Sequence, residues 1–316
     1  MSANRTRTAA RRTDRQLVAA AMLLLISIIG VIAPSGASAD SPRPERFKIL
    51  LFTKTAGFFH PSIPTAIAAI EELGARNGFA VDATTDAGAF TSDNLAQYSA
   101  LVFVNTTGNV LSEPSQRAAL EDYIRDGGGW FGVHAASDMG GAVRDGWPFY
   151  RRLVGAAFLG HTRTHVWADA PVAGTVYEGP LAAAPADAES FGATVRYRSW
   201  EPALVNVEDV RSPAMRGWGH TEVRVDEWYG FRENPRQNVH VLASLDENSY
   251  DTFQGDMGPG AADHPIAWCR AYEGGRSVYT GMGHPAAAWG DSRFLRHVLG
   301  GIRMAAGEDR FECVPA

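Results

Sequence analysis

A block of twelve residues in the middle of the chain constrains the fold more than any other feature. Residues 127–138 read Gly-Gly-Gly-Trp-Phe-Gly-Val-His-Ala-Ala-Ser-Asp. The glycines predict a turn, and the run from Trp130 to Ala135 predicts a strand buried on both faces. His134, Ser137 and Asp138 stand at its exit. Open parallel sheets carry their functional groups on the loops that follow the strands, so this block predicts both an α/β fold and the place of its site.

Strand and helix patterns alternate around this block. Short apolar runs predict strands at residues 47–53, 79–83, 101–105 and 130–135. Apolar residues at helical spacing, with prolines near the start and Asn77-Gly78 near the end, predict a helix from about Pro61. A second helix is predicted at Glu113–Arg125. This alternation implies right-handed crossovers and a doubly wound parallel sheet.

The pattern changes in the C-terminal half. Residues 196–200, 221–225 and 239–245 alternate polar and apolar residues, which is typical of half-exposed antiparallel strands, and a glycine-rich loop follows at Asp251–Pro265. Strands at 266–272 and 277–281 and a helix at 292–304 then restore the α/β pattern. The prediction is one α/β domain, residues 40–316, with a β-rich insertion in its C-terminal half.

Residues 1–39 are predicted to be a signal peptide. Five arginines precede an uncharged apolar stretch from Leu17 to Ala33, and the small-residue site Ala37-Ser38-Ala39 follows. Cleavage before Asp40 and export to the cell envelope or beyond is the favoured interpretation, and a retained membrane anchor is the alternative. Arg11-Arg12 leaves the choice between the general and the twin-arginine export routes open.

Charge and cysteine content narrow the partners and the compartment. The full chain has a formal net charge of −6, and removing the leader, with its five arginines and Asp14, leaves −10 on 277 residues. No basic run survives, so nucleic acid is not an expected partner, and a membrane contact is expected only through an uncleaved leader. The only two cysteines, Cys269 and Cys313, are expected to pair after export.

Several segments together resemble one known family. They read Lys54-Thr-Ala-Gly-Phe-Phe-His60, the Gly127–Asp138 block, Leu153–Phe158 with His161, Asp226-Glu-Trp-Tyr229, Ile266-Ala-Trp268, Gly274-Gly-Arg276, Tyr279-Thr280, Gly283-His284 and Leu299-Gly-Gly-Ile302. The set resembles the trehalose-utilisation (ThuA-like) family of the class I glutamine-amidotransferase-like superfamily, over nearly all of residues 46–307.

The resemblance implies a flavodoxin-like core and a small carbohydrate as partner, either a disaccharide or its oxidised keto form. The superfamily's nucleophilic cysteine would fall at or beside His134, where this chain has no cysteine. Glutamine hydrolysis through a thioester is therefore excluded. The chain also lacks a Gly-x-Gly-x-x-Gly that opens a helix and any Walker motif, so no nucleotide cofactor is expected.

Four polar residues follow predicted parallel strands and should meet at one edge of the sheet. They are His60, Asn105, His134 and His284. We expect His134 to act as an acid or base or as a metal ligand, and the other three to bind substrate. A buried imidazole that only holds a loop is the structural alternative for each histidine taken alone.

Further candidates surround His134. Asp138 could accept a proton from its ring or cap the next helix. A divalent metal held by His134, His161 and His284 is a second hypothesis. His161 and His165 are four residues apart, but their neighbours favour extended structure, in which that spacing is too long for one shared ion.

The Asp-Glu-Trp-Tyr segment supplies the last candidates. In a strand, Glu227 and Tyr229 share one face, and we expect both to be catalytic. Trp228, with Trp200 and Trp289, is expected to offer a flat ring to a sugar. An exposed rung of an antiparallel sheet is the alternative for the segment. The leading hypothesis is thus a carbohydrate-acting enzyme, and a non-catalytic carbohydrate-binding module is its alternative.

Overall fold

The computed structural model describes residues 46–139, 147–161, 164–166, 196–198, 200–250 and 263–315. The predicted signal peptide and most of the predicted loop at Asp251–Pro265 lie outside these residues. In the part described, thirteen strands form one nine-stranded sheet and two two-stranded sheets.

The strands are β1 (Phe47–Phe52), β2 (Phe79–Thr84), β3 (Ala100–Val104), β4 (Gly129–Val133), β5 (Phe158–His161), β6 (Thr164–Val166), β7 (Arg196–Arg198), β8 (Glu201–Val207), β9 (Thr221–Asp226), β10 (Tyr229–Phe231), β11 (His240–Leu245), β12 (His264–Tyr272) and β13 (Gly275–Thr280). The main sheet has the order β2-β1-β3-β4-β13-β12-β11-β8-β9, while β10 pairs with β5 and β6 with β7.

One half of the main sheet is parallel. β2, β1, β3, β4 and β13 run in the same direction. Every residue of β3 and β4 is buried, as the continuous apolar runs predict for strands covered on both faces. The chain moves from β1 outward to β2 and then to β3 on the opposite side of β1. The predicted doubly wound α/β core is confirmed.

The other half of the main sheet is antiparallel. β12, β11, β8 and β9 pair in turn beyond β13. The predicted β-rich insertion is therefore an extension of the same sheet. The predicted strand at 196–200 corresponds to β7, and β8, from Glu201 to Val207, was not predicted. The alternation in β8 is weak because its outward positions include Pro202 and Leu204 as well as Asn206.

Five α-helices cover the described part of the sheet: α1 (Ile63–Asn77), α2 (Ser92–Leu95), α3 (Pro114–Arg125), α4 (Pro148–Val154) and α5 (Ser292–Ala306). Their ends follow local chemistry. Gly78 ends α1 with φ 75°, a left-handed conformation that glycine adopts without strain, and Glu113 forms a capping box with Gln116 at the start of α3. None of the helices in this part of the chain has the length and apolar character to cross a bilayer.

The C-terminal tail is fastened to β12 and β11. Cys269 on β12 and Cys313 in the tail form a disulfide, with Cα atoms 5.4 Å apart. The His240 ring on β11 lies 3.2 Å from the Val314 carbonyl oxygen, to which its Nδ1 donates. Two independent links therefore hold the last residues on the antiparallel half of the sheet.

Candidate functional site

Three histidines and one glutamate meet at the carboxyl edge of the sheet. His60, His134 and His284 lie on the segments that follow β1, β4 and β13, and Glu227 follows β9. Each offers one ligand atom, and these atoms all lie within 4.8 Å of one another. All four residues are buried. We call these four residues the histidine cluster.

Three of the ligand atoms form a small triangle. His134 Nε2 is 3.1 Å from Glu227 Oε2 and 3.1 Å from His284 Nδ1, and His284 Nδ1 is 3.0 Å from Glu227 Oε2. Atoms bonded to one cation at about 2.1 Å lie at roughly this separation when they occupy neighbouring coordination positions. The triangle has the dimensions of one face of a metal site.

The backbone holds His134 in an unusual conformation. His134 is the first residue after β4 and has φ 51°, a left-handed value that costs a residue other than glycine of order 1 kcal/mol. The Tyr279 hydroxyl lies 2.8 Å from the His134 carbonyl oxygen and helps to hold this turn. The sharp turn directs the imidazole into the cluster.

The protonation of His134 follows from its backbone partner. Nδ1 lies 2.7 Å from the Gly281 carbonyl oxygen, and a carbonyl only accepts, so Nδ1 carries the proton. Nε2 then faces Glu227 Oε2 at 3.1 Å, a separation at which either a proton or a cation must lie between the two atoms. A metal ion would satisfy both, and the Gly281 bond fixes the tautomer that metal ligation needs.

Asp226 ties two of the cluster segments together. Its buried carboxylate accepts hydrogen bonds from the backbone N–H groups of Glu227, Gly283 and His284 at 2.8–3.0 Å. β9 and β13 are separated by three strands in the sheet, so these bonds require the antiparallel half to curve back toward the parallel half. Glycine is needed at position 283, because φ there is 115° and a Cβ atom would lie 2.9 Å from Val133 Cγ1.

The electrostatics of the cluster favour a neutral His60 and an ionised Glu227. Burial, with the neighbouring rings of His134 and His284, lowers the pKa of His60 to about 2. Burial opposes the charge on His284, but the nearby Glu227 carboxylate raises the pKa of that ring. Burial likewise opposes ionisation of Glu227, yet His284 and His134 hold its pKa well below the ordinary value. His60 is therefore a neutral ligand at physiological pH, and Glu227 is a carboxylate.

Aromatic and imidazole rings line the rim of the cluster. The Tyr229 ring is 4.0 Å from the His134 ring, and Trp200 is 5.3 Å from His284, between ring centroids. His161 Nδ1 lies 3.5 Å from Glu227 Oε1, and one quarter of the His161 side chain is exposed. His161 is thus partly open to solvent.

The structure brings some of the predicted site residues together and places others apart from them. It brings His60, His134, Glu227 and His284 together as potential ligands, with Tyr229 and His161 beside them. Asp138 was a candidate to accept the ring proton of His134. Nδ1 of His134 donates to the Gly281 carbonyl instead. The side chain of His165 lies outside the described residues.

Three other residues predicted to contact the substrate are buried, and each donates a hydrogen bond to another part of the protein. Asn105 donates through Nδ2 to Ser62 Oγ at 3.1 Å. Trp228 is 1% exposed and its indole N–H donates to the Glu201 carbonyl, so it packs in the core and does not offer a free ring face. Trp289 is buried in the same manner, with its indole N–H on the Gly283 carbonyl. Among the three tryptophans considered, Trp200 alone lies against the cluster.

Sequence reasoning missed the supports of the site. Asp226, Tyr279 and the Gly281 carbonyl position ligands without being ligands. Asp226 stands next to Glu227 in the Asp-Glu-Trp-Tyr segment, but strand alternation assigned it to the opposite face. The carboxylate reaches backbone N–H groups because β9 ends at Asp226 and alternation stops there.

Comparison with known proteins agrees with this architecture. A ThuA-like protein from Bacteroides uniformis has 24% identity and a TM-score of 0.59, over 85% of this chain and 94% of that one. A ThuA-like protein from Parabacteroides merdae has 18% identity and a TM-score of 0.58, over 86% and 94%. A cytoplasmic protein from Salmonella typhimurium has 10% identity and a TM-score of 0.51, over 82% and 98%. At these identities the likeness shows the fold.

The family is shown by the sequence match itself. No curated protein matches the chain. The family model ThuA, described as trehalose utilisation, matches residues 48–305, which contain the whole histidine cluster. That description supports a carbohydrate-related role at the level of the family. The chain belongs to the ThuA (trehalose utilisation) family.

Proposed function

We propose that this protein is an exported, metal-dependent enzyme that acts on a disaccharide or keto-sugar, with its divalent cation held by the histidine cluster. One observation carries the proposal. His134 Nε2 faces Glu227 Oε2 at 3.1 Å while Nδ1 of the same ring is committed to the Gly281 carbonyl. A cation between the two atoms satisfies both, and it also uses His60 Nδ1, which has no hydrogen-bond partner among the described residues, or the other nitrogen of that ring.

The donor set favours a particular class of metal. Three imidazoles and one carboxylate suit a first-row transition ion such as Zn²⁺, whereas Mg²⁺ and Ca²⁺ prefer oxygen ligands. A cation bound here would polarise a substrate carbonyl or hydroxyl and lower the pKa of a bound hydroxyl. The buried carboxylates of Asp226 and Glu227 together match the charge of a divalent ion.

The surrounding residues can move a proton and position a sugar. His161 lies beside Glu227 and is partly exposed, so it is placed to exchange protons between the site and solvent. The Tyr229 ring covers one face of His134 and limits how that imidazole can rotate. Burial, with the charge of Glu227, raises the pKa of Tyr229 well above its ordinary value, so its hydroxyl stays a donor.

Export is part of the proposal and depends on the sequence of residues 1–39 and on the disulfide. A disulfide between the only two cysteines of the chain is typical of an oxidising compartment. We therefore propose a carbohydrate substrate met outside the cytoplasm and no nucleic-acid partner. Expression of the full chain, with the mature N-terminus read by mass spectrometry from the envelope fraction, tests cleavage before Asp40.

The function is tested by metal content and turnover on the same preparations. We would purify the wild type without chelators, measure bound metals, and assay trehalose, maltose and their keto forms before and after metal removal and Zn²⁺ addition. The proposal predicts one ion per chain and turnover that depends on it. E227Q keeps the shape of the side chain but removes its charge, and it should lose both metal and turnover.

A matched control separates the cluster from histidines in general. His220 is an exposed histidine outside the cluster, so H220N should keep full metal content and turnover. Sugar binding without any turnover in the metal-loaded wild type would favour the non-catalytic binding module. A wild-type preparation that binds no metal even from added Zn²⁺ would overturn the proposed site.

A further inference from the structure

Two aromatic side chains border the histidine cluster. The centroid of the Phe58 ring is 5.0 Å from that of His60, and the centroid of the Trp200 ring is 5.3 Å from that of His284. The rings of His60 and His284 are themselves 5.0 Å apart. Each aromatic ring therefore borders a different potential metal ligand.

Phe58 is exposed in a loop that is tied down. Its side chain is 50% exposed, which is unusual for a large apolar group. Thr107 Oγ1 donates to the Phe58 carbonyl at 2.7 Å, and the Ala56 N–H donates to the Thr107 carbonyl at 2.7 Å. A Cβ atom on Gly57 would lie 3.3 Å from Thr107 Oγ1, so the two loops are in close contact. The ring is held at the mouth of the site.

Resting on the proposed function, we infer that Phe58 and Trp200 each stack on one ring of a sugar ligand. Sugar rings present apolar C–H faces that pack on flat aromatic rings, while their hydroxyls need polar partners such as the neighbouring imidazoles. Two aromatic rings beside two different histidines select a ligand with two linked sugar rings, one for each aromatic side chain. A disaccharide is therefore the class of ligand that the site prefers over a single sugar.

The chain provides a matched control for Phe58. Phe59 is the next residue in the same loop and is 56% exposed. Among the described residues it has no ring contact with the cluster, whereas Phe58 lies edge-on to His60. Removing the Phe59 ring takes away a similar exposed apolar area, so it measures the effect of that loss where no sugar is expected to stack.

Isothermal titration of metal-loaded protein tests the inference. The probes are trehalose and maltose, with methyl α-D-glucopyranoside as the single-ring comparison. F58A and W200A should each weaken binding of the better disaccharide about tenfold, since an aromatic contact contributes a few-fold to tenfold in affinity. F59A should change it less than twofold, and F58W should restore the affinity lost in F58A. The preference for a disaccharide over the single ring should shrink in both weakened variants.

The outcomes separate this inference from the proposed function. Equal binding by F58A and F59A, or a wild type that binds none of the three probes, would overturn the two-ring platform. If E227Q binds disaccharide in a Phe58-dependent way and the wild type shows no turnover, the platform holds and the enzymatic proposal fails. If the wild type turns over a disaccharide and F58A leaves its KM unchanged, the platform fails alone.

Discussion

The histidines of this protein differ according to what their second ring nitrogen faces. In the cluster, His134 gives one nitrogen to the Gly281 carbonyl and turns the other toward Glu227 and His284. Away from the cluster, His297 donates to the Ala214 carbonyl of a distant segment. Both His134 and His297 are buried and both brace the fold through a backbone bond, but only His134 turns its remaining nitrogen toward a carboxylate and a second imidazole.

This difference separates histidines that could bind a ligand from histidines that only hold the fold together. A backbone bond alone fixes a tautomer and holds two segments together, which is a structural role that His297 performs with its Nε2 unpartnered among the described residues. A backbone bond combined with a carboxylate and further imidazoles around the remaining nitrogen provides the ligands for a cation. Burial is the same for both histidines, so the convergence of several potential ligands is the feature that distinguishes a site.

The largest effect expected from this contrast is on metal affinity. E227Q should weaken Zn²⁺ binding by about two to three orders of magnitude, because a free energy of about 10–16 kcal/mol shared by four ligands gives each roughly 2.5–4 kcal/mol. Competition with a chelating dye measures the affinity. H297N replaces a structural histidine and should leave the affinity within about twofold of the wild type. A similar loss in both variants would erase the distinction between the two groups.

Opening the disulfide should cost stability without affecting the cluster. The bond closes a loop across 44 residues, and chain entropy gives a contribution of about 4 kcal/mol. C269A/C313A should lower the free energy of unfolding in denaturant titration by this order. His240 would still hold the tail through Val314. Zn²⁺ affinity should stay unchanged, and a large drop in affinity would show that the tail supports the site.

The pH dependence of stability should report on the structural group. Burial lowers the pKa of His297 to about 4, against 6.5 in the unfolded chain. The unfolded state therefore binds more protons between pH 6.5 and 4, so the stabilisation present above pH 6.5 is lost as the pH falls through this window. The loss approaches about 3 kcal/mol for one buried histidine.

Subtracting the stability curve of H297N from that of the wild type isolates this contribution. Asparagine can still donate to the Ala214 carbonyl through Nδ2 but does not titrate, so the H297N curve should be flatter between pH 6.5 and 4. Parallel curves for the two proteins would show that His297 titrates normally in the folded state. Both should be measured with bound metal removed, to keep the cluster from contributing differently.

The smallest of these effects concerns Asp226, which supports the cluster without binding the ion. D226N loses the charge and at least one of the three backbone N–H bonds, because the amide nitrogen cannot accept. We expect Zn²⁺ affinity to fall about 10- to 100-fold, the usual range for groups that orient ligands. Faster hydrogen exchange at Gly283 and His284 should accompany it. Unchanged affinity would mean that the ligand loops hold themselves in place.

Much of the fold was predictable because it depends on local patterns. The buried runs of β1, β3 and β4 and the end of α1 at Gly78 follow from apolar runs and turn chemistry. β8 escaped prediction since Leu204 and Pro202 face outward and obscure the alternation. Local patterns also do not reveal that the insertion joins the main sheet, since β11 pairs with β12 and with β8, which are distant from it in the chain.

The sequence predicts which residues form the site better than it predicts the role of each residue. His60, His134 and His284 each follow a parallel strand, and the rule that such loops share one edge brings them together. Glu227 enters because the antiparallel half curves back through Asp226, which no local pattern encodes. The sequence predicts a ligand-facing ring for Trp228 because no local pattern shows that β9 ends at Asp226. After that break the Trp228 ring turns into the core.

The central claim is that His60, His134, Glu227 and His284 hold one metal ion, and anomalous X-ray diffraction tests it most directly. Crystals of the mature chain grown with Zn²⁺ would be measured on both sides of the zinc absorption edge. If the four residues hold one ion, the map shows one strong anomalous peak within about 2.1 Å of a side-chain atom of each of them. Zinc peaks confined to other sites, with the four side chains hydrogen-bonded only to one another, would contradict it.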